Sequence, residues 1–377
     1  MNVDKAARYH RLKRRAAVAS TVLESAALAL LLATGASAKL RGLASWIAPD
    51  GYDGLSSPAT VGVYVLLLFL ILHAVWAPLA YYTGVILERR YSLSSESAGS
   101  WLKDQINSLG LSLVFAVAGA ELMYLAIHRW PVWWWLAAGA GFFAVELGLI
   151  LVAPILLLPI FYRFKPLERP QLQERLRALS ERAGIRVLGA YEWGLGEKTR
   201  RANAALVGAG GTRRIILSDT LLADYSDDEI EVVLAHELGH HVHRDVLTGA
   251  AARAVPLTLG LAAAAWVFHA AGSFGLLPGI HGIGDPAGLP LILLAAGSLV
   301  LAFAPLLHGL SRRHERRADE YALRLSERPA AFISAMRRLG AQNLAEPQPS
   351  RIVLWLFHSH PPIEERIERA RRSLNLL

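Results

Sequence analysis

Six long apolar runs organise the chain. The first covers residues 16–38, and the others cover about 60–84, 107–127, 132–162, 254–272 and 289–310. A bilayer core needs about 20 apolar helical residues, so each run is long enough to span it. The fourth exceeds that need and is predicted to tilt, or to leave the bilayer around Pro154 and Pro159. The first ends in Ala36-Ser37-Ala38, which has the form of a signal-peptidase site. Export signals have an apolar region of only about 7–15 residues, so an uncleaved first span is expected instead.

The stretches between these runs carry a different rhythm. Over 168–183, Leu172, Leu176 and Leu179 recur at helical spacing among Arg and Glu, which predicts an amphipathic helix. Short runs at 187–193, 203–207 and 214–218 read as strands. The last two are joined by Gly208-Ala209-Gly210-Gly211, a hairpin-like connection. Ser226-Asp227-Asp228-Glu229 has the form of a capping box, so a helix is predicted to start there.

Composition agrees with a membrane protein. Hydrophobic residues make up 54% and charged residues 19%, below the roughly one quarter usual in soluble domains. A disordered chain is excluded, and an ordinary soluble enzyme is disfavoured. Basic residues exceed acidic ones by 39 to 31, a net charge of +8. The Arg clusters at 312–317 and 366–372 lack interleaved aromatics, so no nucleic-acid partner is expected.

Loop charge instead points to membrane orientation. Lys5, Arg8, Arg11, Lys13, Arg14 and Arg15 precede the first span, and Arg89, Arg90 and Lys103 follow the second. The alternate loops hold only Lys39 and Arg41, then Arg129, then no Lys or Arg in 273–288. Positive charge favours the inner face, so both termini and residues 85–106, 163–253 and 311–377 are expected in the cytoplasm.

The predicted fold class is therefore mainly α: a polytopic helical membrane protein of about six spans with a small α+β domain at the cytoplasmic face. Residues 1–163 form an N-terminal membrane region with four spans, and 254–310 hold two more. Residues 164–253 and 311–377 are two parts of one soluble domain packed together.

With no cysteine in the chain, any metal site must use His and carboxylate. In His236-Glu237-Leu238-Gly239-His240 the two His are four apart on a predicted helix, so both imidazoles can face one ion. Glu237 lies beside them, placed to take a proton from a water acidified by zinc as it attacks a carbonyl. A catalytic zinc usually has three protein ligands. Glu315 and Asp319 are four apart downstream of the sixth span. Glu315 is a candidate third ligand, and Asp319 a candidate acceptor for the Nδ1 proton of a ligating His. A solvated face of i,i+4 ion pairs explains the same spacing.

Several motifs in order resemble the integral-membrane zinc CaaX prenyl proteases of the type I (a-factor converting) class. Glu88-Arg89-Arg90-Tyr91-Ser92-Leu93 and Trp101-Leu102-Lys103-Asp104 are similar to that family's loop after the second of these spans. Asn203-Ala204-Ala205 resembles its Asn-Ala-aromatic strand, and Arg214 to Leu222 its following strand and turn. His236-Glu237-Leu238-Gly239-His240, Ser311-Arg312-Arg313-His314-Glu315 with Ala318-Asp319, and Ser359-His360-Pro361-Pro362 with Glu365-Arg366 match its remaining motifs.

The resemblance implies a gluzincin-like protease with one Zn2+, held by His236, His240 and Glu315. It implies Glu237 as catalytic acid/base and Asp319 behind the ligands. Asn203 and His360 would face the substrate backbone or the developing oxyanion, and Arg366 would pair with Asp319 or Glu315. It further implies a peptide or protein substrate, free or lipid-modified, added as a strand to 203–207, beside a water-filled chamber enclosed by the spans. Glu121 and Glu146 lie inside spans and should face a bundle interior or that cavity. His73, His269 and His308 are expected to be structural.

The chain departs from the family pattern in places. Six spans are readable where eukaryotic members carry seven. His241 and Ala205 stand where aromatics are common, and the soluble insert is short. The Ala, Leu and Arg bias suggests a prokaryotic source, hence an inner-membrane location, where prenylated substrates need not carry over. An HtpX-like quality-control protease is the second enzyme reading. A non-proteolytic metal scaffold or transporter is the reading from another class, but it leaves Glu237 unexplained.

Overall fold

The computed structural model describes residues 3–49, 57–208, 210–273, 277–346 and 348–374. Helix α1 (Val3–Ala33) opens the chain, followed by α2 (Ala36–Ile47) and α3 (Pro58–Tyr81). The last runs through a π-helical turn (Tyr82–Leu87) into the short α4 (Glu88–Arg90). Next come α5 (Ala98–Arg129), α6 (Trp134–Leu156) and the single turn α7 (Leu158–Phe161). The break between α6 and α7 falls in the over-long fourth run, next to Pro159.

A soluble lobe then begins with β1 (Phe164–Pro166), α8 (Pro170–Arg182), β2 (Ala190–Trp193), β3 (Ala204–Val207), β4 (Arg214–Ser218), α9 (Asp219–Asp224) and α10 (Asp227–Val242). Helices α11 (Asp245–Ser273) and α12 (Leu289–Ser326) form an antiparallel pair that leaves the lobe and returns to it. The chain closes with α13 (Pro329–Gln342), α14 (Arg351–Phe357) and α15 (Ile363–Leu374).

Among the described residues, six helices are long and apolar enough to cross a membrane: those containing Asp4–Ala33, Pro58–Arg90, Ala98–Arg129, Trp134–Ala153, Asp245–Ala271 and Pro286–Ser326. The protein is a multi-pass membrane protein, mainly helical, with a small mixed sheet.

Sheet order is β1-β2-β4-β3, with β2 and β4 parallel and both outer pairs antiparallel. Strand β3 is therefore an edge. Its Ala204 faces Leu217 and its Leu206 faces Ile215. The Ser218 N–H donates to the Asn203 carbonyl at 2.9 Å. Antiparallel alternation then turns the backbone polar groups of Ala204 and Leu206 away from β4.

Local chemistry explains where elements start. Glu229 N–H donates to Ser226 Oγ at 3.3 Å, and Ser226 N–H to Glu229 Oε2 at 2.8 Å, closing the capping box that begins α10. Ser57 and Ser97 cap α3 and α5 from one side only, each accepting one backbone N–H. Leu172, Leu176 and Leu179 of α8 are buried in one core with Leu217, Ile230, Leu234 and Phe332. That core draws on residues from both sides of the α11–α12 pair. A second core joins the spans around Tyr64, Tyr124 and Trp134. Ser37 is buried there, bonded to Tyr64 Oη at 2.7 Å and donating to the Ala287 carbonyl at 2.6 Å. The segment that resembles a cleavage site is thus part of the packed bundle.

Some boundaries differ from expectation, each for a tertiary reason. Helix α1 begins at Val3, because the basic arm is ordered against the soluble lobe. The strand expected at 187 starts at Ala190, after Gly189 in an extended turn (φ 159°). Strand β1 was not anticipated; it exists through pairing with β2. Ala209, within the predicted hairpin connection, lies outside the described residues.

Helices α11 and α12 pack along their length. A Cβ on Gly260 would lie 2.5 Å from Ala296 Cα and 3.1 Å from its carbonyl oxygen, both backbone. Gly260→Ala must push the helices apart. We expect it to lower stability by about 1–3 kcal/mol, the usual cost of overpacking, read as a lower unfolding midpoint in detergent with unchanged helical content.

Candidate metal centre

Helix α10 presents His236 and His240 on one face, as their spacing requires. Their rings meet edge to face with centroids 4.7 Å apart. Each Nδ1–H is spoken for: His236 donates to Asp319 Oδ1 at 2.9 Å, and His240 to Asp245 Oδ2 at 2.9 Å. This fixes both tautomers and turns both Nε2 lone pairs inward, where they stand 3.2 Å apart. Glu315 of α12 completes the cluster, with Oε2 3.4 Å from His236 Nε2 and Oε1 3.5 Å from His240 Nε2.

Two imidazole lone pairs at that separation repel unless a cation or proton lies between them. Glu315 Oε2 is buried and makes no hydrogen bond. One ligand atom from each of His236, His240 and Glu315 lies within 4.8 Å of the others. A buried unpaired carboxylate oxygen facing two converging imidazoles fits a divalent metal, and a two-nitrogen, one-oxygen donor set suits zinc.

The close approach of α12 depends on Gly239. A Cβ there would meet Ala318 Cα at 3.1 Å and the Ala318 carbonyl at 3.3 Å. A side chain there would force α12, which carries Glu315, to give by a few tenths of an ångström. Behind the ligands, Arg366 of α15 grips Asp319 with both arms, Nε to Oδ2 at 2.8 Å and Nη2 to Oδ1 at 2.5 Å. Arg366 Nη2 lies 4.0 Å from Glu315 Oε2, so of the two partners expected, Asp319 is the one it engages.

His360 stands exposed at the rim, its Nδ1 3.0 Å from Glu315 Oε1. Glu237 is partly buried on α10; desolvation pushes its carboxyl up, while the neighbouring His236 and His240 oppose this. Asn203 is exposed at the head of β3. Its Oδ1 accepts from the Ala204 N–H at 3.0 Å, and its own N–H donates to Ser218 Oγ at 2.9 Å. Strand β3 packs against α10, and His241 donates Nε2–H to the Leu206 carbonyl at 2.9 Å. That bond gives His241 a role where an aromatic was expected.

Asp245 escaped the sequence reading. It opens α11, is buried, and also pairs with Arg317. The one available signal was an acid five residues after His240. Two cavities of about 410 Å³ each reach His240. One lies between α11 and α12, with Val246, Ala252 and Leu307 in its wall; the other is bounded by Leu147 and Ile150 of α6 and by Leu206. Glu146 of α6 accepts from Arg253 Nε at 2.8 Å and from its Nη2 at 2.6 Å, and Arg253 lines the first cavity. Glu121 is half-buried on α5 near Gly62.

Comparison with known proteins agrees with this architecture. Residues 166–374 match Peptidase family M48, and residues 1–163 match the CAAX prenyl protease N-terminal region, described as five membrane helices. The chain is 31% identical over 363 residues to the uncharacterized metalloprotease YhfN of Bacillus subtilis, covering 92% of this chain and 80% of that one. It is 26% identical over 309 residues to CAAX prenyl protease 1 of Saccharomyces cerevisiae, covering 77% and 67%. Its fold superposes on the crystal structure of S. mikatae Ste24p with a TM-score of 0.84 at 22% identity, covering 98% of this chain and 88% of that one. A membrane metalloprotease is thus the class that fold and comparisons define. Within it, the chain belongs to peptidase family M48, as a member of the type I CaaX prenyl protease group.

Two predictions follow from the wiring of the ligands. Burial opposes charge on His236, but Asp319 and Glu315 outweigh it and push the metal-free imidazole up to about 10. His236 must lose that proton to bind a metal, so ion uptake at pH 8 should release at least one proton. Apparent affinity should fall by about tenfold per pH unit on acidification from pH 9 to 7. Calorimetry in buffers of different ionisation enthalpy reads both. Secondly, Asp245→Asn should weaken metal binding by about 10–100-fold, the usual effect of losing a carboxylate behind a ligand, as read by competition with a chromogenic chelator.

Proposed function

We propose that this protein is a zinc endopeptidase of the membrane surface. His236, His240 and Glu315 hold the ion, Glu237 is acid/base, and Asp319 and Arg366 fix the ligands from behind. The observation that carries the reading is the convergence of two Nε2 atoms, 3.2 Å apart, and the Glu315 carboxylate beside Glu237. Bound there, zinc supplies Lewis acidity, which polarises a carbonyl and acidifies water.

The protein's own groups do the rest. Glu237 takes the proton of the attacking water and passes it to the leaving nitrogen; a carboxyl held above its ordinary range suits both transfers. His360, at the rim, donates to the oxygen on which negative charge develops. Asn203 binds the substrate main chain. The peptide adds to edge strand β3, pairing with the Ala204 carbonyl and the Leu206 N–H, which alternation turns outward.

The substrate we favour is a lipid-modified CaaX-type peptide. The match of 1–163 to the prenyl-protease membrane region supports this over an HtpX-like quality-control role. Two largely apolar cavities adjoining His240 offer room for an alkyl chain. Lys and Arg in alternate loops support an inner-membrane location with the site toward the cytoplasm. The core shared by Leu176 and Phe332 supports reading 164–253 and 311–377 as one protease domain interrupted by the spans 254–310.

The test uses purified zinc-loaded protein with a farnesylated CaaX peptide and its unmodified twin, products being read by mass spectrometry. Wild type should cleave the lipidated peptide. Glu237→Gln should retain one zinc per chain and lose at least about 10³-fold in rate, as expected when proton transfer and water activation fail together. Cleavage of neither peptide by a zinc-loaded wild type would point to the quality-control reading. Failure to bind zinc would overturn the central assignment.

A further inference from the structure

The leading turns of α1 touch both segments that carry the proposed substrate-contacting residues. Tyr9 is 1% exposed, and its hydroxyl donates to Glu88 Oε1 at 2.6 Å. Arg201 Nη2 donates to the same hydroxyl at 2.7 Å and to Glu88 Oε2 at 2.9 Å. Arg201 is two residues ahead of Asn203. On the next face of α1, His10 donates Nε2–H to the Leu344 carbonyl at 2.8 Å, and Arg14 pairs with Glu346 at 2.5 Å. Glu346 in turn lies 3.5 Å from His358 Nε2, two residues ahead of His360.

Apolar packing backs both contacts. Tyr9, Leu87, Tyr91 and Leu93 form a buried cluster with Leu12 and Leu344 against it. The Leu93 carbonyl accepts from the Arg200 N–H at 3.0 Å and from Thr199 Oγ1 at 3.0 Å, so the segment after α4 also holds the approach to β3. Arg312 of α12 steadies the other segment, donating to the His358 carbonyl at 2.5 Å.

We infer that the first helix, ahead of its membrane-spanning part, is an element of the active-site scaffold, with Tyr9 and Arg14 as positioning residues for Asn203 and His360. The geometry favours this over simple anchoring of a basic arm. From one rigid helix, Tyr9 is tied to the segment leading into Asn203 and Arg14, through Glu346, to the segment leading into His360, which sets the spacing between those two segments. A peptide held as an added strand needs that spacing kept within a fraction of an ångström, because misplacement by about 1 Å can cost 10²-fold in rate. The inference rests on the peptidase reading above for its kinetic consequence, but not for its structural one.

The test therefore has two arms in the full-length, zinc-loaded protein. Tyr9→Phe keeps the ring packed and removes only the hydroxyl that bridges Glu88 and Arg201; Arg14→Glu breaks the pair with Glu346. In the peptide assay each variant should lose about 10- to 100-fold in kcat, with KM, zinc content and unfolding midpoint within twofold or two degrees or so of wild type. Arg14→Glu combined with Glu346→Arg should recover most of the loss. A merely structural role would instead lower zinc content and midpoint together with activity.

The second arm needs no substrate. Amide exchange should speed up by about tenfold over 200–207 in Tyr9→Phe and over 356–360 in Arg14→Glu, each without the other. Exchange at wild-type rates in both variants would overturn the inference even if no substrate were found. A wild type that cleaves nothing, beside altered exchange, would count against the peptidase reading alone.

Discussion

The site depends on the direction in which two imidazoles are wired. A histidine binds a metal through one nitrogen only if the other carries the proton, and a carboxylate at Nδ1 enforces that choice. Asp319 does this for His236 and Asp245 for His240, from two different helices. Without those acids nothing would fix the Nε2 atoms inward beside the Glu315 carboxylate. With them, a single ion would satisfy all three proposed ligands. The cost of burying Asp319 and Arg366 together is offset by their bidentate pairing.

This wiring explains why the membrane pair sits inside the protease lobe. Asp245 is the first residue of α11, and Glu315 and Asp319 lie near the far end of α12. The chain leaves the lobe immediately after placing one proton acceptor and returns carrying the proposed ligand Glu315 and the other acceptor. Helix α12 is continuous from the bundle to Ser326, so its position against α10 transmits any tilt of the bundle to Glu315. Two glycines keep the contacts tight: Gly260 lets α11 and α12 touch at Ala296, and Gly239 lets α12 touch α10 at Ala318. Stability of the bundle and geometry of the site are one packing problem.

Much of this was legible in the sequence because it is local. Apolar length shows a span, a four-residue interval shows a shared helix face, and Ser226 with Glu229 shows a helix start. These rules need no tertiary contact, and the structure follows them at α10, α8 and the six spans. What escaped was what depends on a partner distant in the chain. Asp245 is an unremarkable acid until α11 folds back on His240. Strand β1 has three residues and no pattern of its own; β2 makes it a strand. The basic arm read as a membrane-flanking charge cluster, whereas Tyr9 and Arg14 are tied to residues 88 and 346. Glu146 could be assigned to an interior by cost alone, but its partner Arg253 stood outside the apolar run and gave no signal.

The edge of the sheet shows how the departures from the family pattern fit together. Strand β3 has one open side, and an open edge invites any extended chain. On that side His241 takes the Leu206 carbonyl, leaving the Ala204 carbonyl and the Leu206 N–H as the groups a peptide would use in the proposed binding mode. An aromatic at 241 would pack against the strand without spending one of its acceptors. With histidine there, the free part of the edge is shorter and lies nearer the Asn203 end. The small Ala205 lets a peptide side chain approach the strand where an aromatic would fill the space. On that proposed binding mode a peptide would rely more on apolar contact, for which the two cavities beside His240 offer room. On the proposed strand-addition mode, the spacing between the Asn203 and His360 segments matters the more, because His241 leaves fewer main-chain groups to hold a chain in place.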